Sequence, residues 1–438
     1  MGEGPTTRSG ATRDGTAVEP TLVLTFAGRG NGGTQRCRIP PVGLLLGRNA
    51  LVFDEPFDDS RMSARHAELR IDGGKVLVRD LGSETGTRLN GHVLGGERAL
   101  EAGDVLRLGD TLLVYALSVP GGGIAEPELV GTSAAMIAVR RSVDAVAARK
   151  HMVVITGETG TGKEVVARLL HQRSGRTGPF VAVNCGTFTE GLVASDLFGH
   201  VRGAFTGAVG EQQGLFRAAR GGTLVLDEVA EIPLVLQANL LRVLEMSEVR
   251  PVGGTRDFAT DVRVIATSNR EMVDLVQAGR FRADLYSRLA QWTIRVPPLR
   301  ERRDDIPALT SHLLARCDGL GRKVTPDLAE ALLMHDWPLN VRGLLTVLSV
   351  AVVASPEEEP LALGPDVLMA LRTTRSMVLG DAEKNIEHAV LDKADLTRLM
   401  ERFHGKVAAA AREIGVTRPK LYRLLWAQDI DPALFRVA

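Results

Sequence analysis

GETGTGKE, residues 157 to 164, stands between the apolar run MVVIT at 152–156 and the amphipathic run EVVARLLH at 164–171. An apolar strand, a glycine-rich turn and a helix with a lysine in its first turn allow backbone N–H groups and a helix N-terminus to surround a polyphosphate. Gly157, Gly160 and Gly162 let the backbone curl and approach phosphate closely, and Lys163 brings a point charge to the outer oxygens. With Glu158, Thr159 and Thr161 they make a candidate nucleotide site rather than an ordinary glycine-rich turn, because strand, spacing and lysine agree. Glu164 occupies the position where Ser or Thr usually ligates magnesium, so a metal there needs a ligand from elsewhere.

Working outward, apolar runs at 152–156, 180–184, 223–227, 262–267 and 292–296 alternate with helix-like segments. Such alternation predicts a largely parallel sheet covered on both faces, with ligands gathered at the carboxyl ends of its strands. TLVLDE at 223–228 ends its run in two carboxylates. Asp227 is placed to hold magnesium and Glu228 to orient and deprotonate an attacking water. Asn269, closing IATSN, is expected to sense a γ-phosphate, and Asn184, closing FVAVN, to hold Glu228 aside until ATP is seated.

The chain is long enough for about three domains of ordinary size. Its 53 basic and 53 acidic residues give no net charge, so any nucleic-acid contact must come from a local patch. Cys37, Cys185 and Cys317 lie too far apart for a disulfide ladder or a metal-ligand spacing, and a reducing cytoplasm is the simplest expectation. Residues 1–19 read as a disordered tail without an apolar signal segment. The longest apolar run, 344–354, is too short to span a bilayer and is read as a buried helix. From 20 to 118 the pattern changes to short β-like runs, TLVLTF, GLLLG, HAELRI, KVLVRDL, VLRLG and TLLVYAL, separated by turn residues, which predicts an all-β sandwich. A Pro- and Gly-rich linker occupies 119–128.

Within the β-rich region, GRNALVF, MSARHAEL and LGSETGTRLNG resemble, in order, the forkhead-associated (FHA) family, whose members bind phosphothreonine peptides at loops on one end of a β-sandwich. The resemblance implies that Arg48 and Ser63 hold the phosphate, with Arg65 and Thr85 lining the same site and His66 bracing the loops. Asn90-Gly91 matches a family turn, but Thr85 stands where the family has the asparagine that grips the peptide backbone. Phosphopeptide reading and phosphate-independent docking are both readings of this domain.

HVRGAFTGAVG at 200–210 sets Ala204, Phe205 and Thr206 between Gly203 and Gly207, a loop able to bend sharply and present an aromatic outward, or to tuck Phe205 inward. GAFTGA, 203–208, is the hallmark of sigma-54-dependent transcriptional activators, the bacterial enhancer-binding proteins. GETGTGKE, FVAVNCGTF, DLFGHVRGAFTGA, GGTLVLDEV, RVIATSN, GRFRADLYSRL and VPPLRERRDDIP all resemble that family in order. The resemblance implies a hexameric AAA+ ATPase using ATP and Mg2+, with an α/β core at 129–299 and a helical lid at 300–372. Gly203 to Ala208 would engage sigma-54, and Arg282 and Arg288 would reach nucleotide held by a neighbouring subunit. The family also accepts glutamate at the position of Glu164. WPLNVRGL at 337–344 resembles the family's WPGNVREL and places Arg342 as a nucleotide sensor. If the family's Gly uses a positive φ, Leu339 in its place costs energy or reshapes the turn, and Gly343 for Glu would weaken its helix by about 1 kcal/mol relative to Ala.

At 381–438, Val407, Ala411 and Ile414 mark one helix face and Leu421, Leu424 and Leu425 another. This is the pattern of a helix-turn-helix, with Thr417 as N-cap and Arg418, Lys420 and Arg423 facing a major groove. It resembles the factor-for-inversion-stimulation type of DNA-binding domain; a plain helical pair with a solvated basic face is the alternative. The multidomain chain is expected to bind enhancer DNA, sigma-54 holoenzyme and a phosphothreonine protein, with no membrane partner. The rival expectation is a repressor or scaffold that uses ATP only for assembly.

Overall fold

The computed structural model describes residues 10–11, 17–27, 35–53, 56–120, 128–187, 192–376 and 393–435, the last stretch without 415–420, 423, 426–427, 429 and 431. These fall into two units: 1–118 with 303–339 and 343–438, and 119–302 with 340–342.

The second unit holds the nucleotide fold. Its five-stranded sheet runs, in spatial order, Phe180–Asn184, Thr223–Asp227, Arg263–Ser268, Val153–Thr156, Trp292–Arg295, and every pairing is parallel. The central strands Thr223–Asp227, Arg263–Ser268 and Val153–Thr156 are buried on both faces and read as near-continuous apolar runs without alternation, whereas the edge strands Phe180–Asn184 and Trp292–Arg295 are partly exposed. Ala134–Ala147 and Lys163–Gln172 cover one face through Val139, Val143, Val166 and Leu170, and Leu234–Met246 contributes Leu240 and Leu244 to the core on the other. Two short hairpins interrupt the alternation, Gly199–His200 with Gln212–Gln213 and Glu248–Val249 with Phe258–Ala259.

In the first unit the expected β-sandwich is formed by a seven-stranded and a four-stranded sheet. Its long strand begins at Ala17 and pairs with Gly10–Ala11, so part of the expected tail belongs to the sheet; residues 1–9 and 12–16 lie outside the description. The period-2 burial of Ala67–Asp72 and Lys75–Asp80 is that of strands with one face on a core. Asn90, at φ 51°, and Gly91, at φ 81°, make the expected turn between Thr87–Leu89 and His92–Val93.

The lid comprises the helices Ile306–Leu314, Pro326–Met334, Asn340–Ala354 and Pro365–Ser376. The run 344–354 is not a buried helix throughout. Leu344, Val347, Leu348 and Ala351 are fully buried, whereas Val353 is 87% exposed, the spacing of one apolar stripe. The strain expected at Leu339 is absent as well. Its φ is −99°, and the positive φ angles fall on Trp337 and Asn340. Gly343 has its reason in the same turn: a Cβ there would stand 3.2 Å from Leu339 Cβ and 3.6 Å from Trp337 Cε3. The two departures from the family pattern therefore fit each other.

Near the C-terminus, Lys393–Arg402, unanticipated as a helix, and Val407–Glu413 pack Leu396, Met400, Val407 and Ala411 against Leu421 and Leu425. Thr417, Arg418, Lys420 and Arg423 lie outside the described residues. No helix among the described residues is long and apolar enough to cross a membrane.

Candidate functional site

The carboxyl ends of the parallel strands bring the sequence candidates together. Gly157, Gly160 and Gly162 adopt φ of 153°, 77° and 106°, conformations that require glycine in the turn, and a Cβ at Gly157 would strike the Val296 carbonyl at 2.7 Å. Lys163, only 7% exposed, donates to the Gly157 carbonyl at 2.8 Å and the Glu158 carbonyl at 3.3 Å. Its ammonium also lies 3.6 Å from Glu228 Oε1. Thr161 donates to the Glu158 carbonyl at 2.8 Å. Glu164 is turned away, paired with Arg168 one helical turn on at 2.8 Å and largely exposed, so the helix gives its carboxylate no inward role.

Asp227 ends its strand in register with Asn184. The Thr267 hydroxyl donates to Asp227 Oδ1 and accepts from the Glu228 N–H at 3.1 Å, joining the neighbouring strand to both carboxylates. Glu228 sits at φ 52°, a left-handed conformation that costs a residue with a Cβ of order 1 kcal/mol. Held this way, its carboxylate accepts from the Asn269 N–H at 3.0 Å. The Asn269 side-chain amide reaches Thr159 Oγ at 3.5 Å. The expected contact between Asn184 and Glu228 is not made: Asn184 Oδ1 accepts from the Gly186 N–H at 2.8 Å and closes its own turn. Beside it the buried Cys185 thiol is pushed up to about 12 by burial, with Asp227 and Glu228 adding to the effect, so it stays a neutral thiol. Among the described residues no three His, Cys, Asp or Glu side chains cluster to hold a metal by themselves. Asp227 fits a magnesium that takes its remaining ligands from phosphate and water.

Residues outside the motif complete the cradle. Arg300 donates to both oxygens of Glu158, at 2.5 and 2.7 Å, and Asn340 Nδ2 reaches Glu158 at 3.2 Å and the Thr159 carbonyl at 3.0 Å. Asn340 Oδ1 accepts from the Leu299 N–H at 2.7 Å, Val341 N–H donates to the Gly160 carbonyl, and Arg302 donates to the Thr161 carbonyl at 2.9 Å. Burial works against the Glu158 charge, but Arg300 and Asn340 outweigh it and hold the carboxyl below its ordinary range. Thus the phosphate loop is gripped from outside by residues more than 130 positions away. No local spacing announces Arg300 and Asn340; they stand in VPPLRER and WPLNVRGL, where the family resemblance points only to Arg342. Arg342 is exposed in the first turn of Asn340–Ala354.

Arg282 stands at the N-cap of the short helix Ala283–Leu289, and Arg288 lies in its last turn. Arg282 is exposed and paired with Asp284 at 2.7 Å, while its N–H is anchored by Gln237 Oε1 at 2.8 Å. Arg288 donates to the Leu244 carbonyl at 3.0 Å. Gly203 and Gly207 take φ of 81° and 105°, and the loop closes with the Gly203 N–H on the Ala208 carbonyl and the Ala208 N–H on the Phe205 carbonyl. Ala208 is buried and Thr206 exposed. Phe205 is neither outward nor in the core: half-buried, it meets His200 edge-on at 5.0 Å. His200 is itself fixed to Ser195 Oγ at 2.7 Å.

At the tip of the β-sandwich Arg48 is exposed, its guanidinium 3.4 Å from the Ser60 carbonyl and its N–H on the Ser63 carbonyl at 3.0 Å. Ser63 Oγ accepts from the Glu84 N–H at 3.1 Å, and Thr85 donates to the Arg61 carbonyl at 3.1 Å. Thr85 therefore ties two loops together from the place of the missing asparagine. His66, fully buried, accepts from the Ser63 N–H and reaches the Gly86 carbonyl at 3.3 Å, the bracing role expected of it. Arg65 is exposed on the same loop. Asp80 secures 82–87: burial opposes its charge, but hydrogen bonds from Thr87, Ser83 and Gly82 prevail and bring its carboxyl down to about 2.

A parallel sheet ending in this loop, lysine and carboxylate pair, followed by a helical lid, defines a P-loop NTPase of the AAA+ type. The chain belongs to the sigma-54 activator family of transcription regulators. Residues 129–295 match the Sigma-54 interaction domain, 44–109 the FHA domain and 300–364 the AAA+ ATPase lid domain. The anaerobic nitric oxide reductase transcription regulator NorR of Salmonella agona is 40% identical over 358 residues, covering 74% of this chain and 69% of NorR. Transcriptional regulatory protein ZraR of Salmonella typhimurium is 40% identical over 314 residues, 69% of each chain. Among solved structures, NtrX of Brucella abortus in complex with ADP is similar at 31% identity over 70% of each chain, with a TM-score of 0.51.

Proposed function

We propose that the protein is an ATP-hydrolysing activator of sigma-54 RNA polymerase, bound to enhancer DNA through residues 381–438 and controlled by its FHA domain. The observation that carries the reading is Glu228, held 3.6 Å from Lys163 by the Asn269 N–H at the mouth of the phosphate loop. Arriving phosphate competes with the Gly157 and Glu158 carbonyls and with Glu228 for the Lys163 ammonium, which leaves the Glu228 carboxylate able to accept a proton from water. Asp227 would hold magnesium, which supplies charge neutralisation on the phosphoryl oxygens. Asn269 adjusts Glu228 to the state of the nucleotide, and Arg342 reports that state to the lid. Arg282 and Arg288 complete the pocket of a neighbouring subunit in a ring, where guanidinium spreads charge over the transferred phosphoryl group. Gly203 to Ala208 carries the result to sigma-54, with the exposed Thr206 at the contact. Arg48 and Ser63, with Arg65 and Thr85 beside them, take a phosphothreonine of a partner protein.

Two variants test this. Glu228→Gln is expected to bind ATP without hydrolysing it, and Thr206→Ala to hydrolyse ATP without supporting transcription from a sigma-54 promoter. Transcription that survives Thr206→Ala would overturn the remodelling assignment in favour of a repressor or scaffold.

A further inference from the structure

The phosphopeptide loops occupy one end of the β-sandwich, yet two cations of its seven-stranded sheet are committed elsewhere. Arg36, in Gln35–Arg38, pairs with Asp304 of the lid at 2.9 Å, with side chains 19% and 9% exposed. Arg107, in Val105–Leu108, pairs with Glu330 at 2.6 Å and Asp327 at 2.9 Å in the lid helix Pro326–Met334, and its own side chain is 11% exposed. Arg303 donates to the Gly103 carbonyl at 3.2 Å. Between these polar contacts Thr25 and Phe26 of the sandwich line, with Ile306, Pro307, Leu332 and Leu333 of the lid, a residual gap of only ≈ 30 Å³. Exposed ion pairs contribute little, and Asp327, 71% exposed, adds little to the contact, but Arg36–Asp304 and Arg107–Glu330 are largely shielded from water, and removing one partner of such a pair leaves a desolvated charge.

The same Arg107 reaches back to the peptide end. Its Nε donates to the Gly109 carbonyl at 3.0 Å, and its Nη2 lies 3.4 Å from Asp110. Asp110 accepts from Arg61 at 3.1 Å, two residues before Ser63. The buried Asp59 locks this junction, accepting from the N–H groups of Arg61 and Asp110 and from the Thr111 hydroxyl, at 2.8 to 2.9 Å. One carboxylate, Asp110, is thus shared between a cation of the ligand loop and the cation that holds the lid.

We infer that the β-sandwich is an internal docking module for the lid of its own ATPase, held by Arg36 and Arg107, and that Asp110 couples the Ser63 loop to that contact. A dianionic phosphate at the loop draws Arg61 away from Asp110, Asp110 turns to Arg107, and Arg107 loosens its hold on Glu330 and Asp327. The coupling rests on the phosphopeptide reading above; the docking does not.

Charge exchange in the full-length protein separates the two. Hydrogen exchange in residues 326–334 is expected to rise by about tenfold in Arg107→Glu and in Glu330→Arg, and to return within about threefold of the parent in the double variant. Glu330→Arg carries the test if Arg107→Glu fails to fold, as exchange in residues 21–24 would show. Unchanged exchange in the single variants, or no recovery in the double, overturns the docking. Adding a pool of phosphothreonine peptides is expected to raise exchange in 326–334 in the parent protein but not in Asp110→Asn, which still binds the pool. A pool that binds without changing the lid overturns the coupling alone. A pool that does not bind removes the coupling together with the phosphopeptide reading, while the charge exchange still decides the docking.

Discussion

At the end of Val153–Thr156 the phosphate loop is held on every side by its own chain: Lys163 on two carbonyls, Glu158 between Arg300 and Asn340, Glu228 on the Asn269 N–H. At the tip of the β-sandwich the groups suited to phosphate are the exposed Arg48 and the half-buried Ser63, with His66 and Asp80 fixing the loops beneath them. The first arrangement suits chemistry, where charges must be placed before the reaction begins. The second suits recognition, where an incoming dianion supplies the missing partner and its energy appears as affinity.

The sharpest way to break the comparison is at Glu228. Glu228→Gln is expected to lower hydrolysis by roughly 10²–10⁴-fold, the range for a general base, with ATP affinity retained; parallel turnover and binding measurements check it. Next comes Asn340→Ala, which strips the contacts of the fully buried Asn340 to Glu158, Thr159 and Leu299. A loss of about 2 kcal/mol in unfolding free energy and a higher KM for ATP are expected, since buried partners are left unsatisfied. Arg48→Ala should leave the fold untouched and weaken a phosphothreonine peptide by about tenfold or more, measured by calorimetry, because the lost hydrogen bond is charge-assisted.

Smaller effects probe the scaffolds. Gly→Ala inside a helix ordinarily gains about 1 kcal/mol. Gly343→Ala should fail to gain it, because its Cβ would press on Leu339, and should recover the gain in a Leu339→Gly background. A denaturation cycle over the four proteins reads the coupling. Lastly, pH acts in opposite directions on two aspartates. Asp80, brought down to about 2, contributes stability that is present above its unfolded value of about 4 and lost as pH falls through 2. Asp304 is raised to about 6 by burial and by Asp305, against the pull of Arg36. Its contribution is full below about pH 4 and lost as pH rises through 6. Acid titration of amide exchange at Thr87 and at Ile306 separates the two, and Asp80→Asn should flatten the first.

The central strands were legible because parallel strands buried on both faces must be apolar throughout, and the sandwich strands because they must alternate. Asp227, Glu228 and Asn269 were legible because strand ends are where such sheets put ligands. Arg300, Asn340 and Thr267 were not singled out, since their task is to meet groups that are near only in the folded chain. Asn184 shows the converse: position predicted Glu228 as a partner, and the local turn took the side chain instead.

By itself, then, the sequence determined the order of the FHA, ATPase and lid regions, the phosphate loop and its carboxylates, because each depends on neighbours within a few residues along the chain. Only the tertiary structure decided that Leu339 and Gly343 compensate, that Thr85 ties the loops left without an asparagine, and that Arg36 and Arg107 face lid carboxylates. Those outcomes turn on distances between residues far apart in sequence or on which way a side chain points, and neither periodicity nor spacing encodes them.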